Sequence, residues 1–206
     1  MGKFPIISEL DVIRLILSID FFPLNLYNRF RVKKGVKEMI AKFDTNSTKA
    51  LRSWFKRNNL TCGCELCAIN DEAWNTTFYY DEETHRIGLP RTYIVSIVDD
   101  VFLPYLREKG LITKVSWLVM TILHEIGHSE TTKFFTEKEM EKIDFEKFKL
   151  SVIITKENLV EINYKYWNLP DEDMANSWAI NYANTFPEKV KRLEQILLRH
   201  CEFTEE

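Results

Sequence analysis

Glycine and proline are scarce in this sequence, six of each in 206 residues. Such a chain is neither collagen-like nor low in complexity. Long apolar runs are missing too. Charge breaks every apolar stretch well before the roughly 18 residues that a membrane-spanning helix needs. The opening Met1-Gly2-Lys3-Phe4-Pro5 has one Lys and no long apolar core, and Asp11 and Arg14 interrupt the next segment. No signal peptide is therefore expected. Myristoylation is not expected either, because Ile6 stands where Ser or Thr is needed. Cysteine is sparse as well, four residues with three of them clustered, which does not suit a secreted disulfide scaffold. The expected setting is the cytoplasm, away from any membrane.

What is present is ordinary globular material. Hydrophobic residues make up 45% and aromatic residues 13%, enough for a firm core. The length suits one domain with a small appended lobe. The charge is unevenly spread. Residues 1–60 carry twelve Lys/Arg and five Asp/Glu, whereas residues 61–206 carry sixteen and twenty-six. The chain accordingly divides into a basic N-terminal helical region, 1–60, and a remainder, 61–206, that holds the chemistry. A basic half can dock an acidic partner or nucleic acid, or simply be a solvated helical surface. The net charge of -3 and the lack of a complete recognition motif argue against nucleic acid.

Helical spacing runs through much of the sequence, and no internal repeat is found. Ser8 and Asp11 open a first helix, with Leu10, Ile13, Ile16 and Leu17 on one face and Pro23 at its end. A second is expected over 26–43, and a third capped by Asn46 or Ser47 with Leu51, Trp54 and Phe55 inward. Residues 58–76 read as a loop or knuckle, and 77–89 as a β-hairpin. Pro90 is expected to open a helix reaching Leu106, with Pro104 near its end. The most apolar helix spans Thr113 to Glu130. Residues 131–165 look less regular, apart from a Thr136/Glu139 capping-box pair. Pro170 opens a helix to Thr185, and Thr185 and Glu188 start the last one, with Val190, Leu193 and Leu197 inward. The fold class is α+β, mostly helical, with a small antiparallel sheet or hairpin packed on a central helix.

That central helix holds the strongest signal, His124-Glu125-Ile126-Gly127-His128. Two His at i and i+4 share one helix face, about 6 Å apart at the backbone, so both imidazoles can reach one Zn²⁺. Glu125 projects beside the metal, where it can take a proton from the activated water and pass it to a leaving amine. Three fixed positions can recur by chance. Burying three polar side chains on the most apolar helix, however, is costly without a purpose. Half of the four His in the chain also fall in this motif.

A catalytic zinc site commonly has three protein ligands and an open position. Ser129 through Phe134 contain no further Gly or His, so the third ligand lies further on. Glu172 is the best candidate. It occupies the first turn of a helix whose Ala175, Trp178 and Ala179 face inward. Asp171, Asp173 and Glu161 compete with it, and a carboxylate there also suits the helix dipole alone. Tyr164, Tyr166 and Tyr182 are candidate donors to an oxyanion.

His124-Glu125-Ile126-Gly127-His128-Ser129, then Glu172-x-x-Ala175-Asn176-x-Trp178-Ala179 and Pro187, resembles the ImmA/IrrE family of zinc metallopeptidases. These are gluzincin-like intracellular proteases that cleave repressor proteins in mobile elements and stress responses. The resemblance covers about residues 77–187 and is dense only at the two motif helices. It implies a zincin-like fold, zinc held by His124, His128 and Glu172, and Glu125 as general base. It also implies a hairpin at 77–89 offering a sheet edge to an extended peptide substrate. The 44-position step from His128 to Glu172 exceeds the family's usual spacing, and Trp178 stands where Phe is usual.

Cys62, Cys64 and Cys67 offer three thiolates. With His85 or Cys201 as a fourth ligand they would form a second, structural Zn²⁺ site. Two readings of the whole chain are then open. One is an intracellular zinc endopeptidase acting on a protein. The other is a zinc-binding interaction module without turnover, which docks an acidic partner or nucleic acid through its basic helices. Glu125 favours the first, because holding zinc does not require it.

Overall fold

The computed structural model describes residues 39–67, 78–95, 101–155 and 157–205. The helix expected from Ser8 and most of the one expected over 26–43 lie outside those residues. Among the described residues the chain is α+β, with seven α-helices and two three-stranded sheets.

Met39–Lys42, expected as a helix tail, is strand β1. It pairs antiparallel on one side with β5, Thr92–Val95, and on the other with β6, Glu202–Glu205. Both backbone edges are thus satisfied by segments distant in sequence, which a local pattern does not contain. Helix α1, Thr45–Arg57, comes next and buries Leu51, Trp54 and Phe55 as expected. Its cap is Asp44, not Asn46 or Ser47. The Asp44 carboxylate accepts from the Asn46 and Ser47 amides, while Ser47 Oγ accepts from the Asp44 amide, a reciprocal capping box. These bonds, that from Ser47 foremost, hold the Asp44 carboxyl below its ordinary range.

The expected knuckle contains strand β2, Gly63–Leu66. The expected hairpin forms from β3, Tyr79–Asp81, and β4, Arg86–Leu89. The second sheet has the order β2-β4-β3, with β2 parallel to β4, so it is mixed, whereas its β3–β4 hairpin and the whole first sheet are antiparallel as expected. The helix expected from Pro90 to Leu106 is replaced by strand β5 and helix α2, Phe102–Glu108. Pro104 is the third residue of α2, inside the first turn, where no intrahelical N–H bond is lost.

Helix α3, Lys114–Thr131, is the centre of the fold. Thr113 Oγ1 accepts from the Ser116 amide and starts it. Trp117, Leu118, Val119, Met120, Ile122, Leu123 and Ile126 are all buried. An apolar surface on most sides requires neighbours on most sides. They are supplied by α2, strands β3 to β5, and two later helices, α6, Pro170–Thr185, and α7, Pro187–His200.

Between them run α4, Glu137–Ile153, and α5, Leu159–Trp167. The Thr136/Glu139 capping box opens α4 as expected. Its regularity was hidden because α4 buries only Ile143 and Lys147, too little for an apolar stripe. Pro170 begins α6 as expected. Helix α7 starts after Phe186 with no side-chain cap, and Thr185 ends α6 instead of opening α7. Leu193 and Leu197 are fully buried and Val190 partly so. The Trp54 indole donates to the Lys189 carbonyl at 3.2 Å, joining α1 to α7. No described helix is long and apolar enough to cross a membrane.

Candidate metal centre

His124 and His128 lie one turn apart on α3, so helical geometry alone directs both rings to one side. Their Nε2 atoms are 3.1 Å apart. Glu172 arrives from the first turn of α6, where Pro170 occupies the first helical position and its fixed φ favours helix entry. Glu172 Oε2 lies 3.3 Å from His124 Nε2, and Oε1 lies 3.6 Å from His128 Nε2. Among the described residues this is the one group of three metal-binding side chains whose ligand atoms fall within 4.8 Å of one another.

The approach of α6 to α3 depends on Gly127. A Cβ at that position would stand 2.5 Å from the Ala175 carbonyl oxygen and 2.9 Å from its Cα. Glycine between the two His is therefore what lets Glu172 reach them. Phe102 and Trp167 meet the His124 ring edge-on, with centroids 6.1 and 5.5 Å away, so the cluster has apolar walls.

Three donors of this kind fit zinc. Two ligands each about 2.0–2.1 Å from a tetrahedral zinc lie roughly 3.3 Å apart, close to the spacings found here. The set of two imidazoles and one carboxylate also leaves a coordination position free. Glu125, adjacent to the first His, is 7% exposed on the same helix.

Lys147 of α4 completes the cluster, and no feature of the sequence singled it out. Its Nζ is 2.6 Å from Asp171 Oδ2 and 2.9 Å from Glu172 Oε1. All three side chains are almost wholly buried. The available signal was the Ile143/Lys147 pair at i and i+4 on one face, which looks like any surface lysine beside an apolar residue. Burial pushes the Glu172 carboxyl up, but the Lys147 ammonium, the His128 charge and the imidazole hydrogen bonds outweigh it. The net result holds Glu172 well below the ordinary carboxylate range. Burial pushes the His128 imidazole down, while the Glu172 charge and hydrogen bond prevail and raise it above its ordinary value.

The competing ligands take other places. Asp171 pairs with Lys147, Asp173 is exposed, and Glu161 is exposed and pairs with Lys165 at 2.6 Å. Among the tyrosines, Tyr164 is exposed, Tyr166 packs its ring against the Lys147 ammonium, and Tyr182 stacks on Trp178. Cys62, Cys64, Cys67 and Cys201 are free and buried, and with His85 they form no such ligand group among the described residues. His85 instead bonds to the Tyr80 hydroxyl at 2.7 Å and to Thr61 Oγ1 at 3.1 Å. Burial pushes the Cys64 thiol up to about 12 and Cys67 up to about 11, which opposes the thiolate that zinc needs.

No family model, curated protein or solved structure matches this chain. The site therefore rests on its own geometry.

The raised His128 imidazole sets the direction of a pH effect. Below its pKa the imidazolium must lose a proton before Nε2 can bind a metal, whereas Glu172 is already ionised. Zinc affinity is expected to fall roughly tenfold per pH unit below the His128 pKa and to level off above it. Chelator-competition titrations between pH 5.5 and 8.5 measure this. A flat affinity across that range would contradict the assignment of His128 as a ligand.

Proposed function

We propose that this chain is an intracellular zinc metallopeptidase with a zincin-like fold that hydrolyses peptide bonds of a protein substrate. The observation that carries the reading is the meeting of Glu172 with both imidazoles across 44 residues of sequence. Its resemblance to the ImmA/IrrE family at the same residues supports it. His124, His128 and Glu172 would hold the zinc. A bound zinc supplies Lewis-acid polarisation of a carbonyl and of a water. Glu125 is the general base: it accepts the water's proton and returns it to the leaving amine. A module that only binds zinc has no use for a buried carboxylate beside its first ligand.

Elemental mass spectrometry of the purified protein tests this directly, beside a His124→Ala, His128→Ala double variant. One zinc per chain in the parent and none in the variant is expected. The parent should also cleave a mixed-sequence peptide library, read by mass spectrometry, and the variant should not. Zinc without cleavage would favour the binding module that lacks turnover. No zinc that depends on the two His sinks both.

A further inference from the structure

Lysine is almost never fully buried unless it is paired, and Lys147 is 5% exposed. Nothing else about α4 requires a lysine inside: the helix buries only Ile143 besides, and its Phe145, Val152 and Ile153 are exposed. The ammonium meets two consecutive carboxylates at the start of α6. It divides the Glu172 carboxylate unequally. Oε1 receives Lys147 Nζ at 2.9 Å and lies 3.6 Å from His128 Nε2. Oε2 faces His124 Nε2 at 3.3 Å. Asp171, at 2.6 Å, holds the same ammonium.

We propose that Lys147 is a positioning residue of the metal centre. It claims one oxygen of Glu172 and would leave the other for a bound metal, so that the carboxylate would supply a single ligand atom. Asp171 anchors Lys147 for that task. The charge on Lys147 also lets two adjacent carboxylates stay buried beside the site. This inference rests on the metal-centre reading above.

Cobalt substitution separates the two. The visible d–d absorption of Co²⁺ is intense in four-coordinate sites and intermediate in five-coordinate ones. The parent chain is expected to give the intense spectrum. Lys147→Met frees the second Glu172 oxygen and is expected to weaken the bands toward the five-coordinate pattern. Zinc affinity, measured by chelator competition, is expected to fall about 10–100-fold. Lys147→Arg, which keeps a donor there, should restore the parent spectrum. Because Lys147→Met leaves Asp171 without a partner, a Lys147→Met, Asp171→Asn variant, which removes both charges, is measured alongside it. A parent chain that takes up no Co²⁺ or Zn²⁺ fails the metal-centre reading itself. A parent that binds metal, with spectrum and affinity unchanged in the charge-free variant, overturns the role of Lys147 alone. Loss of fold in every Lys147 variant overturns it too, by making the lysine a structural pair only.

Discussion

Glu125→Gln is expected to lower peptide hydrolysis by about 10²–10⁴-fold while the bound zinc stays at the parent's level. The amide has nearly the shape of the carboxylate but cannot accept the water's proton at neutral pH. The proposed ligands His124, His128 and Glu172 are untouched, so binding and turnover separate in a single variant. Glu125 directly follows His124 on α3, and its 7% exposure makes a solvent-only role unsuitable. The measurement is a rate on the same peptide library, with zinc content determined on the same sample. Equal rates in parent and variant would remove Glu125 as the base. Loss of zinc together with activity would give Glu125 a structural part instead.

Gly127→Ala is expected to damage both stability and the metal site. Alanine favours helix over glycine by up to about 1 kcal/mol, so on an isolated helix this change would stabilise. Here the added methyl would meet the Ala175 carbonyl oxygen at 2.5 Å, its Cα at 2.9 Å and its carbonyl carbon at 3.0 Å. These are backbone atoms of α6 and cannot swing aside as a flexible side chain does. Overpacking of this kind costs about 1–3 kcal/mol, which exceeds or matches the propensity gain. At about 2–4 °C per kcal/mol for a chain of this size, a net loss of up to about 2 kcal/mol is expected to lower the melting temperature by up to about 8 °C. Relief of the clash means moving α6 away from α3. Glu172 lies one turn before Ala175 on α6, so the carboxylate withdraws from both imidazoles. Zinc affinity is therefore expected to fall by at least about tenfold. Calorimetric melting of the metal-free chain and chelator competition measure the two effects separately. A variant more stable than the parent, with undiminished affinity, would show that α3 and α6 are not in contact at Gly127.

These two positions differ in how visible they are without a fold. Glu125 can be read from a five-residue pattern, because it is the residue that directly follows His124 in the motif. The requirement at Gly127 cannot be read that way, since its reason is a carbonyl 48 positions along the chain. The same division runs through the secondary structure. Thr136 with Glu139, Pro170 at the start of α6 and the apolar faces of α3 and α7 are local signals, and each corresponds to an element found. Strands β1, β5 and β6 carry no comparable local mark. They are four residues each and exist because β1 finds partners at 92–95 and 202–205. Local reading accordingly assigned Met39–Lys42 and Thr92–Val95 to helices.

Local sequence was enough for the i and i+4 placement of two imidazoles, for the carboxylate that follows the first of them, and for the helix start that carries Glu172. Each is a consequence of backbone geometry over one or two turns. Only the tertiary structure decided that Glu172 meets those imidazoles, that Asp171, Asp173 and Glu161 take other places, and that Lys147 enters the cluster from α4. The physical reason is that these contacts depend on how three helices pack around a glycine, and packing is a property of surfaces brought together, not of any one segment.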